Sequence, residues 1–297
     1  MPSTTSRLRR AFGVLATVAL ATAAMTGTAS AHDRGGRHHP QPHYYVSLGD
    51  SLAAGYQPNV RTNTDVSYTD QLYTRLKKQD PTLVHVKLGC SGETTETMIA
   101  GGICSYPGAT SQLGAAEAFL RAHRGEVEYV TLDIGANDVD GCLSATGIDQ
   151  ACTAKGIATV ATQLPQIASG LRRAGGQGWG APQYAGMNYY DPFLAVWLTG
   201  ATGQAEAQQS TVLSDTLNGV IDQGLWKSGF RLADVAKAFS TDDFTDQATL
   251  PVFGTVPLNV ARICAWTWEC TQYQDIHANP TGHAVIAGVF EKVLRRR

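Results

Sequence analysis

The sequence predicts an α/β domain with a parallel sheet covered by helices on both faces. From residue 44 onward, short apolar runs of strand length alternate with longer stretches of helical periodicity, the pattern of strands joined by helical crossovers. The 297 residues suffice for one such domain with a full core. We find no internal repeat and no second domain in the sequence.

The predicted elements follow one another along the chain. Short apolar runs bounded by turn residues predict strands at 44–48, 84–88, 127–134, 187–190 and 230–235. Helical periodicity predicts helices at 70–78, 113–123, 157–173, 205–226 and 281–294, the third of them bent at Pro165. Residues 240–274 show little periodicity, and a loop of that length is usually functional or clamped.

The first 31 residues have the three parts of a signal peptide. Arg7, Arg9 and Arg10 supply a positive start, residues 11–24 are small and apolar, and Ala29-Ser30-Ala31 fits a cleavage site. The apolar part is too short to span a bilayer. We expect residues 1–31 to be removed on export by the Sec or the twin-arginine route, a flexible leader at 32–42 and one domain at 43–297.

The charge pattern limits the possible partners. The full chain carries a formal net charge of −2 at pH 7, and removing residues 1–31 takes away three arginines and no acidic residue. Because no basic stripe remains, the sequence argues against a nucleic-acid partner. No later apolar run is long enough for a membrane span. We therefore expect an extracellular monomer.

Six cysteines, an even number, lie in the part of the chain that would be exported. Oxidising export favours disulfides, and six cysteines allow fifteen connectivities. Since they fall as three close couples, we predict the pairs Cys90–Cys104, Cys142–Cys152 and Cys264–Cys270. Zinc is the alternative, but no couple has C-x2-C spacing and no histidine pair accompanies one, so we expect no metal. A catalytic Cys90 is a further alternative, which the oxidising compartment disfavours.

Three polar or turn-forming residues follow three successive predicted strands. Ser51 stands in Gly49-Asp50-Ser51-Leu52 after the first strand, Gly89 ends the second, and Asn137 follows the third in Gly135-Ala136-Asn137-Asp138. The carboxyl ends of parallel strands meet at one sheet edge, so these residues are expected to lie together. Acyl transfer needs a nucleophile, which Ser51 could supply, and hydrogen-bond donors to the oxyanion. The glycine backbone N–H, which can approach a ligand closely, and the asparagine side-chain amide could be such donors. The structural alternatives are a helix N-cap, a plain turn and an Asx turn.

A histidine that could serve as base comes late in the chain. His277 immediately precedes the last predicted helix, whereas His283 falls inside that helix, where a packing or surface role is expected. Ser51 followed by His277 therefore supplies a nucleophile and a base.

This set of motifs resembles the SGNH (GDSL) hydrolase family, and the resemblance covers residues 43–297. Its four blocks appear in family order: Gly-Asp-Ser-Leu at 49–52, the glycine at 89, Gly-x-Asn-Asp at 135–138, and the late histidine at 277. The resemblance implies a flavodoxin-like three-layer α/β/α sandwich with a short parallel sheet. With export and three disulfides, the chain looks like the secreted actinobacterial lipase/esterase branch.

The resemblance also implies roles for these residues and no cofactor. Ser51 would attack an ester carbonyl, His277 would accept its proton, and the Ser51 N–H, the Gly89 N–H and the Asn137 side chain would hold the oxyanion. The family's acid normally stands three residues before the histidine, but Gln274 occupies that place and Asp275 follows it. Either Asp275 orients His277, or a backbone carbonyl does so and the site is a Ser51–His277 dyad.

The expected substrate is a small-molecule or lipid ester of undetermined acyl length. A polysaccharide acetyl esterase and a phospholipase A are the alternatives within the enzymes, and a non-catalytic carbohydrate-binding module is the alternative outside them. Three aromatic residues near His277, Trp266, Trp268 and Tyr273, could line an acyl groove or form a core patch. Residues 189–193 could add a wall to the site, although a buried strand end fits them better.

Overall fold

A computed structural model describes residues 41–144 and 147–294. The predicted signal peptide and the leader up to residue 40 lie outside the described residues.

Five parallel strands form the central sheet. They are β1 (His43–Gly49), β2 (Leu83–Lys87), β3 (Val127–Asp133), β4 (Gln183–Met187) and β5 (Arg231–Ala233). The strand order is β2-β1-β3-β4-β5, and every neighbouring pair is parallel. This is the flavodoxin-like order, in which the chain reverses direction across the sheet between β1 and β3. Ligands of such folds bind outside the carboxyl ends of the strands at that reversal.

Helices flank this sheet. They are α1 (Ser51–Ala54), α2 (Tyr68–Lys77), α3 (Thr95–Ala100), α4 (Gln112–Ala122), α5 (Gln150–Gly175), α6 (Ala201–Lys227), α7 (Val235–Ala238), α8 (Leu258–Trp266) and α9 (Pro280–Val293). Packing joins α2 to α9, and it joins α5 to α4 and α6. Short 3-10 segments span Ala136–Asp138, Asp140–Cys142 and Pro192–Thr199. The predicted three-layer α/β/α fold is confirmed. No helix in the described ranges is both long and apolar enough to cross a membrane.

Side-chain caps explain where several helices begin. Ser67 and Asp70 form a reciprocal capping box at the start of α2, and Ser111 caps α4. Asn279 accepts from the N–H groups of Thr281 and Gly282, so that α9 begins at Pro280, where a missing N–H costs nothing.

Three predicted segments differ from the structure. β4 begins four residues before the predicted strand, because the Gly-rich stretch ahead of it obscures where the apolar run begins. α5 begins seven residues earlier than predicted and continues without interruption through Pro165. The aperiodic 240–274 segment contains α8 and an antiparallel hairpin of Gln247–Leu250 with Gly254–Pro257. Elements this short carry too few residues for periodicity to reveal them.

Two further hairpins and three disulfides complete the chain. Tyr56–Gln57 pairs with Thr62–Asn63, and Leu143–Ser144 pairs with Gly147–Ile148. The disulfides join Cys90 to Cys104, Cys142 to Cys152, and Cys264 to Cys270, the same couples that the spacing favoured. Cys90 is therefore bonded and has no free thiol.

Candidate active site

Ser51 is the first residue of α1, two residues past the carboxyl end of strand β1 in the central sheet. Gly49 has a positive φ of 150°, and a Cβ at that position would collide with the Asp133 carboxylate. Asp50 Oδ1 accepts from the Leu52 N–H at 2.8 Å and so fixes the first turn of α1. The strand therefore ends in a tight turn that only glycine fits, and this turn places Ser51 at the sheet edge.

His277 lies in the connection between α8 and α9. Two backbone hydrogen bonds hold this connection, from the Trp268 N–H to the His277 carbonyl at 3.0 Å and from the Asn279 N–H to the Trp266 carbonyl at 2.9 Å. The Cys264–Cys270 disulfide closes a short loop at its start. The segment without regular structure is therefore anchored on both sides of the histidine.

Ser51, His277 and Asp275 form a chain of hydrogen bonds. Ser51 Oγ lies 2.7 Å from His277 Nε2, and His277 Nδ1 lies 2.6 Å from Asp275 Oδ1. The same carboxylate oxygen accepts from the His277 backbone N–H at 2.9 Å. A carboxylate can only accept, so Nδ1 carries a proton and Nε2 of the neutral ring is left to accept from the Ser51 hydroxyl.

The Asp275 carboxylate reaches the ring because of the backbone at Gln274. Gln274 has a φ of 44°, in the left-handed region, and this turn precedes the acid. Burial alone would raise the pKa of Asp275, but the hydrogen bonds from the His277 ring and backbone N–H outweigh it and lower that pKa below its ordinary value. Asp275 is therefore ionised at neutral pH. Of the two alternatives that the sequence left open, Asp275 or a backbone carbonyl, it is the Asp275 carboxylate that contacts the ring.

The three predicted oxyanion donors occupy neighbouring loops. Gly89 lies in the loop after β2. This loop runs beside the carboxyl end of β1, where the Cys90 N–H donates to the Gly49 carbonyl at 2.9 Å. A Cβ on Gly89 would lie 2.7 Å from the Ala54 backbone nitrogen, so only glycine allows this approach to α1. In the described part of the chain, no intramolecular acceptor pairs with the N–H of Ser51 or of Gly89. Both donors are therefore available to a ligand.

Asn137 lies in the 3-10 segment after β3, and one of the two N–H donors of its side-chain amide is already hydrogen-bonded. Asn137 Nδ2 donates to the Glu93 carbonyl at 2.9 Å, which fixes the orientation of the amide. Asn137, Ser51 and His277 all line the same cavity. The amide is thus held in the wall of the cavity that the hydroxyl and the imidazole also line.

The sequence matches the GDSL-like lipase/acylhydrolase family over residues 47–285. The chain belongs to this family. As a member, it is a carboxylic ester hydrolase.

Two solved structures illustrate the shared fold. The extracellular lipase from Streptomyces rimosus is 18% identical with a TM-score of 0.52, and the match covers 84% of this chain and 99% of that one. The lipase Lip_vut3 from a goat rumen metagenome is 13% identical with a TM-score of 0.51, covering 84% of this chain and 97% of that one. At these identities the likeness concerns the fold alone. No curated protein matches the sequence at a significant level.

A pair of buried carboxyl groups lies beneath the nucleophile of this GDSL-like hydrolase. Asp133 accepts from the Asp50 backbone N–H at 3.2 Å and from the Tyr68 hydroxyl. Asp50 accepts from the Tyr189 hydroxyl at 2.7 Å. Burial raises the pKa of both acids, and the neighbouring charge of Asp50 raises that of Asp133 further, to well above its ordinary value. The pair therefore holds a proton more tightly than exposed carboxyl groups would.

The sequence interpretation assigned no role to this pair. Asp133 stands between Leu132 and Ile134 in the apolar second half of the predicted strand 127–134, and a charge at that place is the signal that could have drawn attention to it. Asp133 accepts from Asp50, just after β1, and from Tyr68 of α2, and Asp50 accepts from Tyr189, after β4, so the pairing itself is visible only in the folded chain.

A buried glutamine connects the three loops of the hydrolase site. The Gln112 side-chain amide accepts from the Gly49 N–H at 2.6 Å and donates to the Gly49 carbonyl at 3.0 Å. It also donates to Glu93 Oε2 at 2.8 Å, and the Glu93 backbone carbonyl holds Asn137. Gln112 thus links the nucleophile turn to the loop bearing Gly89 and, through it, to Asn137. Neither Gln112 nor Glu93 was predicted from the sequence.

The aromatic residues near His277 are not part of the cavity that contains Ser51. Trp266 packs edge-on against Phe239, and Trp268 Nε1 donates to Gln57 Oε1 at 3.0 Å. Tyr273 packs edge-on against Trp268. The core-patch interpretation therefore describes them better than the acyl groove.

The wall suggested for residues 189–193 does line the cavity of the hydrolase. Tyr190 donates to the Ile276 carbonyl at 2.8 Å, next to His277.

His283 is fully buried in α9, where its Nδ1 accepts from the Tyr68 N–H at 3.1 Å, and burial lowers its pKa to about 3. It is a packing residue, as expected from its place inside the helix.

Proposed function

We propose that the protein is a secreted serine esterase or lipase that hydrolyses carboxylic esters through a Ser51 acyl-enzyme. The observation that carries this proposal is the hydrogen-bond chain from Ser51 Oγ to His277 Nε2 at 2.7 Å and from His277 Nδ1 to Asp275 at 2.6 Å. It joins a nucleophile to a base, and the base to a group that orients it.

Acylation begins when Ser51 Oγ attacks the ester carbonyl carbon and His277 Nε2 takes the hydroxyl proton. Asp275 holds Nδ1–H in place and stabilises the imidazolium that forms. When the tetrahedral intermediate collapses, the ester C–O bond breaks and His277 returns the proton to the departing alcohol. Water, deprotonated by His277, then attacks the acyl carbon of the acyl-enzyme. The bond from that carbon to Ser51 Oγ breaks, His277 returns the proton to Ser51 Oγ, and the carboxylic acid is released.

The oxyanion of each tetrahedral intermediate would be held by the Ser51 N–H, the Gly89 N–H and the Asn137 amide. The first two donors have no intramolecular acceptor in the described ranges, and the third is aimed by its bond to Glu93. Donors that are fixed before the reaction require no reorganisation in the transition state, which is why they contribute strongly to the rate.

Secretion and the actinobacterial lipase/esterase branch are part of the same proposal. The signal-peptide pattern at 1–31 and three disulfides support export to an oxidising compartment. The similar fold of the extracellular lipase from Streptomyces rimosus agrees with this assignment. N-terminal sequencing of protein from the culture medium should find a start near His32.

A direct experiment tests the nucleophile. Purified wild type should hydrolyse p-nitrophenyl butanoate and should be labelled by a fluorophosphonate at Ser51, as mapped by mass spectrometry. Ser51→Ala should lose both properties while its thermal unfolding stays unchanged. The matched control Ser169→Ala, on α5, should keep both. Turnover of Ser51→Ala at a rate near wild type, or a label at another residue, would refute the proposal.

The same assay separates substrates. Acetylated xylan and a phospholipid, supplied alongside simple esters, report whether the site works as a polysaccharide esterase or as a phospholipase A.

A further inference from the structure

Asp140 lies in the cavity beside Ser51 and has no part in the hydrogen-bond chain of the site. It belongs to the 3-10 segment Asp140–Cys142 and lines the cavity together with Ser51, Asn137 and His277. Its side chain is half-buried. In the described part of the chain, no hydrogen-bond donor pairs with the Asp140 carboxylate. Because a carboxyl group withdrawn from bulk water needs a partner, water or a bound ligand must supply it.

The other two aspartates in the cavity wall are satisfied within the chain. Asp50 accepts from the Tyr189 hydroxyl at 2.7 Å, and Asp191 accepts from the Ser210 hydroxyl at 2.6 Å. Both aspartates are only 2% exposed. Among the described acids of the lining, Asp140 is therefore the one that is open to a ligand.

The electrostatic potential of the cavity favours cations. No lysine or arginine is among the described residues that line it. Burial and the neighbouring charges of Asp50 and Asp138 raise the pKa of Asp140 to about 7. When neighbouring acids raise the pKa of a carboxyl group, the surroundings disfavour a further negative charge and favour a positive one. A ligand with a positive charge is therefore attracted to Asp140, whereas an anionic ligand is repelled.

Tyr189, Tyr190 and Phe193 bring aromatic rings to the wall of the same cavity. The Tyr190 ring stacks on Phe239 with ring centroids 4.5 Å apart, and its hydroxyl donates to the Ile276 carbonyl at 2.8 Å. These contacts hold the ring in place. Aromatic rings attract ammonium groups, and quaternary ammonium ligands are recognised in this way. The cavity thus combines a carboxylate that is open to a ligand with aromatic side chains, and both suit an ammonium group.

We propose that the cavity recognises esters that carry an ammonium group, and that Asp140 determines this specificity. This inference rests on the proposed function, since it assigns the substrate class of the same site. A different role for Asp140 would be to stabilise the His277 imidazolium that forms during the reaction. That role would affect every ester alike, whereas recognition affects only the cationic ones.

The experiment compares charged esters with neutral isosteres in which carbon replaces the ammonium nitrogen. One pair is butanoylcholine and 3,3-dimethylbutyl butanoate, with the charge in the alcohol. The other pair is the p-nitrophenyl esters of 4-(trimethylammonio)butanoic acid and 5,5-dimethylhexanoic acid, with the charge in the acyl part. Values of kcat/KM are measured for wild type, Asp140→Asn and Asp246→Asn at pH 8, above the pKa of Asp140. Asp246 is exposed and outside the lining, which makes it the matched control.

In at least one pair, Asp140→Asn should lower the ratio of kcat/KM for the cationic ester to that for the neutral ester by about tenfold, as expected for a close charge pair. Comparing this ratio between variants cancels the intrinsic reactivity of the esters. Asp140→Asn should keep the thermal unfolding of wild type and its rate on the neutral esters within threefold, and Asp246→Asn should keep both ratios. A loss shared equally by cationic and neutral esters would overturn the proposal, and so would unchanged ratios in both pairs.

A binding measurement separates this inference from the proposed function. In calorimetric titrations of Ser51→Ala, choline should bind about tenfold more tightly than the neutral 3,3-dimethylbutan-1-ol, and Asp140→Asn, added to Ser51→Ala, should remove the difference. This readout needs no turnover. If the wild type hydrolyses no ester while choline binds as described, the proposed chemistry fails and the ammonium site stands. If butanoate esters are hydrolysed while neither binding nor specificity depends on Asp140, the ammonium site fails alone.

Discussion

Asp275 stands one residue later than the family pattern places its acid, yet its carboxylate reaches His277 Nδ1. The left-handed turn at Gln274 permits this, since it reverses the chain immediately before the acid. The carboxylate also accepts from the His277 backbone N–H, so one oxygen fixes both the ring and the loop. At the residue scale, a local backbone turn compensates for the shift in sequence.

Replacing Asp275 with asparagine tests whether this contact orients the base. An asparagine amide that donates to Nδ1 would fix the opposite tautomer, so kcat should fall by up to ~10⁴. The control Glu269→Gln, in the same segment but without a hydrogen bond to the ring, should change kcat by less than about tenfold. A kcat for Asp275→Asn within threefold of wild type would remove the acid from the site and leave a Ser51–His277 dyad.

Asn137 provides the second prediction at this scale. Asn137→Ala should leave Ser51 reactive toward a fluorophosphonate but lower kcat by about 10²–10³, the usual loss for one oxyanion donor. Asn63→Ala, an exposed asparagine in a surface hairpin, should have no such effect. Unchanged kcat together with reduced thermal stability would mean that Asn137 only ties its segment to Glu93.

At the scale of elements, the site is a junction of three loops that follow β1, β2 and β3. Parallel pairing brings these strand ends to one edge, and Gln112 of α4 cross-links the loops behind it. A helix residue that contacts no substrate thus determines the relative position of nucleophile and oxyanion donors.

Gln112→Leu should therefore lower both the stability of the protein and its rate of ester hydrolysis. The Gly49 N–H would lose its acceptor while remaining buried, and the Gly49 carbonyl would keep only the Cys90 N–H. The expected loss is about 1–3 kcal/mol in the free energy of unfolding, measured with urea. Ester kcat should fall while KM changes little, because the donors move relative to Ser51. Gln166→Leu on α5 replaces an exposed glutamine and should stay within about 0.5 kcal/mol of wild type. Equal stability of the two variants would contradict the cross-link.

At the scale of the whole molecule, the hydrolase encloses several acids around its cavity. Burial and the charge of Asp50 raise the pKa of Asp140 to about 7, and burial and the charge of Asp275 raise that of Glu269 to about 7. In the folded state these groups hold their protons up to about pH 7. In the unfolded chain the same groups lose their protons near pH 4.

The sign of the resulting pH dependence follows from proton linkage. Between about pH 4 and pH 7 the folded state binds more protons at Asp140 than the unfolded state does, so the free energy of unfolding falls as pH rises through that window. Asp140→Asn should make the decline less steep, which denaturant titrations at several pH values measure. The exposed control Glu206→Gln should run parallel to wild type. Parallel curves for Asp140→Asn and wild type would contradict the elevated pKa.

The sequence determined the features that depend on short stretches of chain. Strand length and turn residues located the ends of β1, β2 and β3, and with them the positions of Ser51, Gly89 and Asn137. Alternation of strands and helices predicted the parallel sheet, and close spacing indicated the three cysteine couples. These patterns can be read along the chain because hydrogen bonding and periodic burial repeat within a few residues.

Which distant groups meet depends on how the helices and strands pack in the folded chain. The contact between Asp275 and His277 depends on one left-handed residue, Gln274, which no periodicity reveals. The acid pair Asp50–Asp133 and the cavity between α5 and α6 are assembled from elements far apart in sequence. Packing geometry fixes such sites, since a cavity is the space that side chains of several elements leave unfilled, and no local pattern records that space.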